Sequence, residues 1–221
     1  MRRLAIIRPE PGASATLSHA LDQGLHAFAL PLFEIVALDW EAPEADSFDG
    51  LLLTSANALR HGGRGLDALR RLPVYAVGEA TAEAARAAGF AVAATGSQGV
   101  EQLLNSIDPA LHLLYLCGRD RVDVECETPT ITEIAVYESR AIGGVDAAPL
   151  DRCVVMVHSP RAAWTLAGLA HDRSSIAIAA ISSAAADAAG FGWAAVEAAE
   201  TPTDEALLAL AARLCKKGRG Q

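Results

Sequence analysis

Short, wholly apolar segments alternate with alanine-rich segments along most of the chain. Leu4–Ile7, Leu51–Leu53 and Val154–Val157 are apolar at every position instead of at alternate ones. Strands of this kind are typical of parallel sheets that are covered on both faces, and the intervening segments have helical spacing. The same pattern predicts further strands at 74–77, 92–93, 113–117, 176–181 and 194–196, and helices at 14–25, from 57, at 81–88 and at 99–107.

Two longer segments depart from this pattern. Pro31–Trp40 and Ile131–Arg140 mix apolar residues with Glu and Asp, as half-exposed strands of an antiparallel ribbon do. They enclose a complete run of strand–helix units. The predicted fold is therefore α/β, with two doubly wound parallel-sheet lobes joined by a two-stranded antiparallel β ladder, and one lobe is inserted in the other. We assign residues 1–30 and 141–221 to lobe 1, 31–40 and 131–140 to the ladder, and 41–130 to lobe 2.

An internal repeat supports two similar lobes. The blocks DGLLLTSANAL and LPVYAVGEATAEAARAAGF correspond in order to RCVVMVHSPRAAW and SIAIAAISSAAADAAGFGW. This alignment places Ser55 opposite Ser159 and Gly78 opposite Ser182. Two similar lobes that face each other form a natural clamp for one ligand, so we expect the binding site between them.

Composition and charge narrow the function. The chain has 27 acidic and 18 basic residues and a formal charge of −9, which argues against nucleic acid or an anionic membrane as the main partner. No apolar run has the length of a signal peptide core or a membrane span. The four cysteines, Cys126 among them, are widely spaced without zinc spacing, and nucleotide-binding glycine motifs are absent. We expect a cytoplasmic protein with reduced thiols and no cofactor.

Small hydroxyl residues or glycine recur just after a strand, where a helix begins. Free backbone N–H groups, the positive end of the helix dipole and a hydroxyl point to one place there, which suits a carboxylate or a phosphate. Simple helix N-capping is the alternative for each residue. The candidates for ligand binding are Thr54, Ser55, Gly78, Thr81, Ser159, Ser182 and Ser183.

Tyr137 is the strongest candidate for chemistry. It lies in the second ribbon strand, where alternation places it on the face opposite Ile134 and Val136. A tyrosine facing the cleft can donate a proton to a leaving oxygen without metal or cofactor, and the alternative is an amphipathic ring that closes the junction between lobes. His158 precedes Ser159, but neighbours on a strand point in opposite directions, so we interpret His158 as structural.

These residues lie within motifs that occur in a known family. The chain reads LAIIRPEPGASATL, LLLTSANAL, VYAVGEATAEAARAAG, LYLCGRDR, IAVYES, VMVHSPRAA and TPTDEALLAL in that order. It resembles the uroporphyrinogen-III synthase family almost from end to end. The resemblance implies a cytoplasmic, cofactor-free monomer of tetrapyrrole biosynthesis. Its substrate would be hydroxymethylbilane, which loses water, inverts its terminal D ring and closes to uroporphyrinogen III.

The resemblance also implies roles for particular residues. Tyr137 matches the hinge tyrosine and would assist departure of the substrate hydroxyl. Thr81 matches the threonine of the inserted lobe, and Ser55 and Ser159 match serines at strand ends. Arg8 matches the N-terminal arginine, which could bind a carboxylate or form a salt bridge at the first strand–helix turn.

One motif departs from the family pattern. Where the family often carries two threonines, this chain has Ala184 and Ala185, preceded by Ser182 and Ser183. The serine hydroxyls or backbone N–H groups would then replace the threonines. A non-catalytic two-lobed binding protein for a small polycarboxylate remains an alternative, and a flavodoxin-like regulatory module is a weaker one.

Overall fold

The computed structural model describes residues 1–97, 99–120 and 128–217, so Cys126 lies outside the described residues. The chain divides into two units, which are described separately below. Unit 1 contains Met1–Glu34 and Ala141–Gln221, and unit 2 contains Ile35–Arg140. The strands, in chain order, are β1 Leu4–Ile6, β2 Ala27–Ala29, β3 Phe33–Ala37, β4 Gly50–Leu53, β5 Val74–Val77, β6 Val92–Gly96, β7 His112–Gly118, β8 Thr130–Ala141, β9 Val154–Val157, β10 Ala177–Ala180 and β11 Ala195–Ala198.

The helices connect these strands, and three short 3-10 turns lie at Ala45–Ser47, Ala148–Leu150 and Arg173–Ser175. The α-helices are α1 Gly12–Asp22, α2 Asn57–His61, α3 Gly65–Ala68, α4 Glu79–Ala87, α5 Val100–Asn105, α6 Pro160–Leu169, α7 Ser183–Ala189 and α8 Asp204–Lys217.

Unit 1 is built on a five-stranded sheet with the order β11-β10-β9-β1-β2. All four pairings are parallel. From β1 the chain adds β2 on one side and β9, β10 and β11 on the other, so the strand order reverses between β1 and β9. In open α/β sheets, ligands bind outside the carboxyl ends of the strands at such a switch point. Arg8 follows β1, and His158 and Ser159 follow β9, so this sequence places three polar residues at the switch point of unit 1.

Both faces of this sheet are covered, which explains why its strands are apolar throughout. Leu4 and Ile6 pack with residues of α1 and α8 on one face. Ala5 and Ile7 pack with residues of α6 and α7 on the other. Successive side chains of a strand point to opposite faces, so a strand between two helical layers needs apolar residues at every position.

Unit 2 contains a six-stranded sheet with the order β3-β8-β7-β4-β5-β6. The pairings from β8 to β6 are parallel. Its order reverses between β4 and β7, which gives unit 2 a switch point of its own. The core cluster of one face contains Leu51, Leu53 and residues of α2, α3 and α4, and the opposite cluster contains Leu52 and residues of α5.

β3 and β8 form the antiparallel pair of this sheet. The Leu38 N–H donates to the Val136 carbonyl at 3.0 Å, and the Ile142 N–H donates to the Leu32 carbonyl at 2.9 Å. From Leu32 to Leu38 the residue number rises, while the number of the bonded partner falls from Ile142 to Val136. This is the antiparallel arrangement. The pair is not free-standing, because β8 also pairs in parallel with β7 along its first eight residues, Thr130 to Tyr137.

The predicted α/β fold with two parallel-dominated sheets and an antiparallel pair is confirmed. Predicted strands 74–77 and 154–157 match β5 and β9 at both ends. β2 was not predicted, because Ala27–Ala29 is too short for a pattern of apolar and polar positions to indicate a strand. No helix among the described residues is long and apolar enough to cross a membrane.

Candidate functional site

Candidate residues of unit 2 collect at its switch point. Thr54 and Ser55 directly follow β4, Gly118 ends the neighbouring β7, and Tyr137 lies in β8 opposite Gly118. Carboxyl ends of adjacent parallel strands meet at one edge of a sheet, so the fold brings these residues together from three separate parts of the sequence.

A β-bulge determines where the Tyr137 side chain points. Leu116 lies opposite Ile134, but the register then shifts and Gly118 lies opposite Tyr137, which leaves Val136 as the extra residue. An extra residue reverses the alternation of faces beyond it. Tyr137 therefore packs against the same core cluster as Ile134 and Val136. The prediction that it lies on the opposite face was wrong, because strict alternation does not continue through a bulge.

The Tyr137 ring is enclosed by backbone and by two polar side chains. A Cβ atom placed on Gly118 would lie 2.7 Å from Cε2 and 2.9 Å from Cζ of the ring, so the ring lies directly over that glycine. The His61 ring of α2 lies 6.4 Å away between ring centroids, at an angle of 41°. The Ser55 side chain lies close enough to the phenol to affect its pKa.

The phenol of Tyr137 stays protonated at neutral pH. Burial raises its pKa above the ordinary 10.0, the nearby Ser55 side chain lowers it, and nearby Cys117 raises it further. His61 stays largely neutral, since burial and the neighbouring Arg60 lower its pKa from 6.5. The site thus offers a protonated phenol beside a largely neutral imidazole.

Thr54 points away from this phenol toward another tyrosine. Its Oγ1 lies 2.8 Å from the hydroxyl oxygen of Tyr115, whose side chain is buried with the opposite core cluster. The residues after β4 therefore lie near a tyrosine on each face of the sheet, Thr54 bonded to Tyr115 and Ser55 near Tyr137.

Gly78 and Thr81 lie at the start of α4, after the next strand of the sheet. Gly78 has φ +83°, a conformation that favours glycine, and its N–H donates to the Gly96 carbonyl at 2.8 Å. Thr81 is only 6% exposed. The structure places both at the predicted helix start, and it buries the threonine in the first turn.

The serines of unit 1 are engaged in helix capping. Ser159 Oγ accepts a hydrogen bond from the Ala162 N–H at 3.1 Å at the start of α6. Ser182 Oγ accepts one from the Ala185 N–H at 3.3 Å at the start of α7. Ser183 is exposed in the first turn of α7. The capping alternative therefore describes both Ser159 and Ser182 in this structure.

Ser159→Ala is expected to lower the free energy of unfolding by about 1 kcal/mol, because it removes a side-chain cap from a ten-residue helix. Urea unfolding measures the change. Ser183→Ala, at an exposed position, is the matched control with a change below about 0.5 kcal/mol. Equal stability of Ser159→Ala and the parent would contradict the capping role.

Arg8 belongs to a charged cluster at the switch point of unit 1. Its Nη1 contacts the Asp204 carboxylate and lies 3.4 Å from the Thr16 hydroxyl. The Thr16 hydroxyl is also 3.4 Å from Asp204 Oδ2. His158 Nε2 approaches the second carboxylate oxygen at 3.4 Å. The salt bridge that the sequence left open for Arg8 is thus present, with the first residue of α8 as its partner.

The cluster fixes the charges of its members. The contact with His158, followed by the Arg8 charge, lowers the pKa of Asp204 from 3.8 to about 2. Burial is the largest effect on His158, and it lowers the pKa of the imidazole although Asp204 acts in the opposite direction. The His158 side chain is 10% exposed, and within the described chain neither ring nitrogen has a well-aligned hydrogen-bond partner.

Asp204→Asn is expected to lower the free energy of unfolding by about 1 kcal/mol at neutral pH, since its side chain is half exposed and solvent screens the pair. The Asp204 carboxyl holds its proton less tightly in the folded chain than in the unfolded chain, because its pKa is lower when folded. The contribution is therefore complete above about pH 4 and is lost as the pH falls to about 2.

Urea unfolding of parent and variant at several pH values measures this dependence. The difference in unfolding free energy should shrink as the pH falls below about 4. Asp46→Asn removes the exposed partner of Arg71 and is the control with little expected change at any pH. If the difference in unfolding free energy between the parent and Asp204→Asn does not vary with pH, the lowered pKa of Asp204 is contradicted.

Sequence reasoning missed several of these residues. His61 was one of six histidines without a cluster, and only the fold brings it to Tyr137. Gly118 ends the apolar segment LYLCG, where a glycine at a strand end could have indicated close packing. Asp204 lies within the quoted TPTDEALLAL, but no spacing connects it with Arg8, which is 196 residues away in sequence. Among the described residues, no group of three or more potential ligands could hold a metal ion.

The comparisons with known proteins decide the family. The model of the family described as Uroporphyrinogen-III synthase HemD matches residues 15–209. The chain belongs to the uroporphyrinogen-III synthase family. A search of curated proteins gave no significant match. The family membership assigns the chain uroporphyrinogen-III synthase function in tetrapyrrole biosynthesis, with a small-molecule substrate.

Solved structures of uroporphyrinogen-III synthases share the fold. The enzyme from Helicobacter pylori matches with a TM-score of 0.68 at 21% identity, covering 97% of this chain and 100% of that one. A mutant enzyme from the extremely thermophilic bacterium Thermus thermophilus matches with a TM-score of 0.54 at 18% identity, covering 98% and 100%. At these identities the likeness supports the α/β architecture of the synthase family and not the role of any residue.

Proposed function

We propose that this synthase cyclises hydroxymethylbilane to uroporphyrinogen III with inversion of ring D, and that Tyr137 is its catalytic acid. The observation that carries the proposal is the enclosed, protonated phenol at the switch point of unit 2. Its ring lies on the backbone at Gly118, and the His61 ring lies beside it. A fixed phenol that stays protonated at neutral pH can donate its proton to an oxygen that leaves.

A single phenol is enough to balance the protons of the reaction. The phenol gives its proton to the substrate hydroxyl, the carbon–oxygen bond breaks with its electrons on oxygen, and water departs. The substrate's own pyrrole nitrogen supplies the electron pair that forms an azafulvene. Ring D attacks through its substituted carbon, the spiro intermediate fragments and recloses, and loss of a ring proton returns the phenolate to the phenol. No outside reactant is needed.

Positioning provides the remainder of the catalysis. The electron push comes from the substrate, so the protein must hold a flexible chain in the arrangement from which only inverted closure proceeds. We propose that the substrate carboxylates bind at the helix starts of each unit. The proposed binding residues are Arg8, Thr54, Ser55, Gly78, Thr81, Ser159, Ser182 and Ser183.

The decisive test is the isomer that the purified protein forms from enzymatically made hydroxymethylbilane. The oxidised products are separated by chromatography, and the type III isomer is expected in excess of the spontaneous type I isomer. Formation of type I alone would refute the activity. Tight binding of the substrate without type III product would favour the polycarboxylate-binding alternative.

We further propose that the protein acts as a monomer in the cytoplasm. Cys117, Cys153 and Cys215 are buried thiols, as cysteines of proteins in a reducing compartment are. Sedimentation equilibrium of the active protein tests the first statement, with a mass near 23.0 kDa expected. A concentration-independent dimer would contradict it.

A further inference from the structure

We propose that Arg119 binds a carboxylate of the substrate and gives unit 2 a cationic binding residue of its own, in addition to Arg8 of unit 1. The inference rests on the proposed function for the identity of the ligand. Arg119 lies in the segment LYLCGRDR, and the roles that the family resemblance implies do not include it.

Arg119 lies at the edge of the sheet where ligands of this fold class bind. It directly follows β7, and the strand order of unit 2 reverses between β7 and β4. Ligands bind outside the carboxyl ends of the strands at such a point. The residues that directly follow β4, β5 and β6 are Thr54, Gly78 and Ser97. Of the four residues that follow these parallel strands, only Arg119 carries a charge.

The two units place an arginine at corresponding points of their sheets. The repeat that aligns Ser55 with Ser159 makes β4 the counterpart of β9. The strand order β6-β5-β4-β7-β8 of unit 2 then corresponds to β11-β10-β9-β1-β2 of unit 1. Arg119 follows β7 as Arg8 follows β1, so each arginine lies beyond the corresponding strand of its switch point.

The register of the strands gives the two arginines corresponding faces as well. Positions 52 and 156 align in the repeat, and their strand partners are Tyr115 and Ile6. Arg8 lies two residues beyond Ile6, and Arg119 lies four residues beyond Tyr115. Both numbers are even, so alternation places each arginine on the face of that partner. These faces correspond, because one packs with α8 after β11 and the other with α5 after β6.

The ion pair of Arg119 still allows its guanidinium to bind a ligand. Its Nη1 contacts Glu138 Oε2, whereas a guanidinium carries five N–H donors and can bind a second carboxylate through two parallel N–H groups. The side chain is 61% exposed, so a ligand can reach it. The Arg119 N–H donates to the Tyr137 carbonyl at 2.9 Å, which holds this backbone next to the residue of the proposed catalytic acid.

The charge of Arg119 matters because the protein and its substrate are both acidic. The chain has a formal charge of −9 and hydroxymethylbilane is a polycarboxylate, so their net charges repel each other. Hydroxyl and backbone N–H groups can hold a carboxylate but leave this repulsion in place. A guanidinium opposes it, and its hydrogen bonds to a carboxylate are roughly twice as strong as neutral ones.

The first test compares two substitutions at position 119. Arg119→Gln removes the charge and is expected to raise KM for hydroxymethylbilane about tenfold with kcat nearly unchanged, as loss of a group that holds substrate and transition state equally does. Arg119→Lys keeps the charge without the paired N–H groups, so its KM should lie between those of Arg119→Gln and the parent.

Arg71→Gln is the matched control. Arg71 also belongs to unit 2, is 54% exposed and pairs with the carboxylate of Asp46. It precedes β5 and therefore lies at the amino ends of the strands, away from the switch point. The same loss of charge should leave KM at the value of the parent there. An equal rise of KM in Arg71→Gln and Arg119→Gln would assign the effect to net charge and refute a site at Arg119.

Calorimetric titration with uroporphyrinogen III, kept reduced, measures binding without turnover. Arg119→Gln should bind it about tenfold more weakly than the parent and Arg71→Gln do. If the parent forms the type III isomer but KM and this affinity do not change in Arg119→Gln, the function stands and the role of Arg119 is wrong. If the parent forms no type III isomer but Arg119→Gln still weakens binding, the proposed function fails and the carboxylate site at Arg119 stands.

Discussion

Tyr137→Phe is expected to lower kcat about 100-fold while KM changes little. The substitution removes the phenol oxygen and its proton but leaves the ring, which fills the space over Gly118 and packs against the core. General acid catalysis contributes roughly 10²–10⁴-fold in enzymes, and 100-fold corresponds to about 2.7 kcal/mol in the barrier. Steady-state formation of the type III isomer from hydroxymethylbilane measures the effect.

Tyr75→Phe is the matched control for this experiment. Tyr75 lies on β5, is also partly buried, and packs with the cluster on the opposite face of the same sheet. Burial raises the pKa of its phenol as it does for Tyr137. The control should keep the kcat of the parent. Equal rates for Tyr137→Phe and Tyr75→Phe would remove the Tyr137 phenol from the mechanism.

Gly118→Ala should impair turnover by a similar factor although it removes no polar atom. Its Cβ would lie 2.7 Å from Cε2 and 3.2 Å from the hydroxyl oxygen of Tyr137, so the ring must move. A displaced phenol loses its alignment with the leaving oxygen, and a small misplacement can cost about 100-fold. Overpacking also lowers the free energy of unfolding by about 1–3 kcal/mol.

The control for this glycine is Gly143→Ala, where a Cβ has no heavy atom within 4 Å. It should leave kcat and stability close to those of the parent. Gly118→Ala combined with Tyr137→Phe should be no slower than Tyr137→Phe alone, because both act on the same proton donor. A further tenfold fall in the double variant would show that Gly118 contributes in another way.

The fold could be predicted largely because its strands are buried on both faces. Leu51–Leu53 and Val154–Val157 are fully buried, and no other common element requires such short, uninterrupted apolar segments. The internal repeat agrees with the sheets, since β4-β5-β6 and β9-β10-β11 are adjacent parallel strands in their own sheets. β2 was missed because Ala27–Ala29 is short and only partly buried.

The candidate site was predicted less completely, for reasons of geometry. The helix-start pattern located Thr54 and Ser55, but it could not tell a residue that binds substrate from one that caps a helix or holds a side chain. Alternation failed at Tyr137 because one extra residue lies in the strand. The charged cluster of Arg8 depends on Asp204, and contacts between residues so distant in sequence follow from topology and not from spacing.

The hydrogen bond between the Ile142 N–H and the Leu32 carbonyl has an implication for how such a chain can be assembled. The chain leaves the first unit just after Leu32 and returns to it just before Ile142, so exit and re-entry are spatial neighbours. An entire α/β module can be spliced in or cut out at such a point without opening the hydrophobic core of its host. A gene in which a short linker joins Glu34 to Ala141 would therefore encode a complete five-stranded sheet.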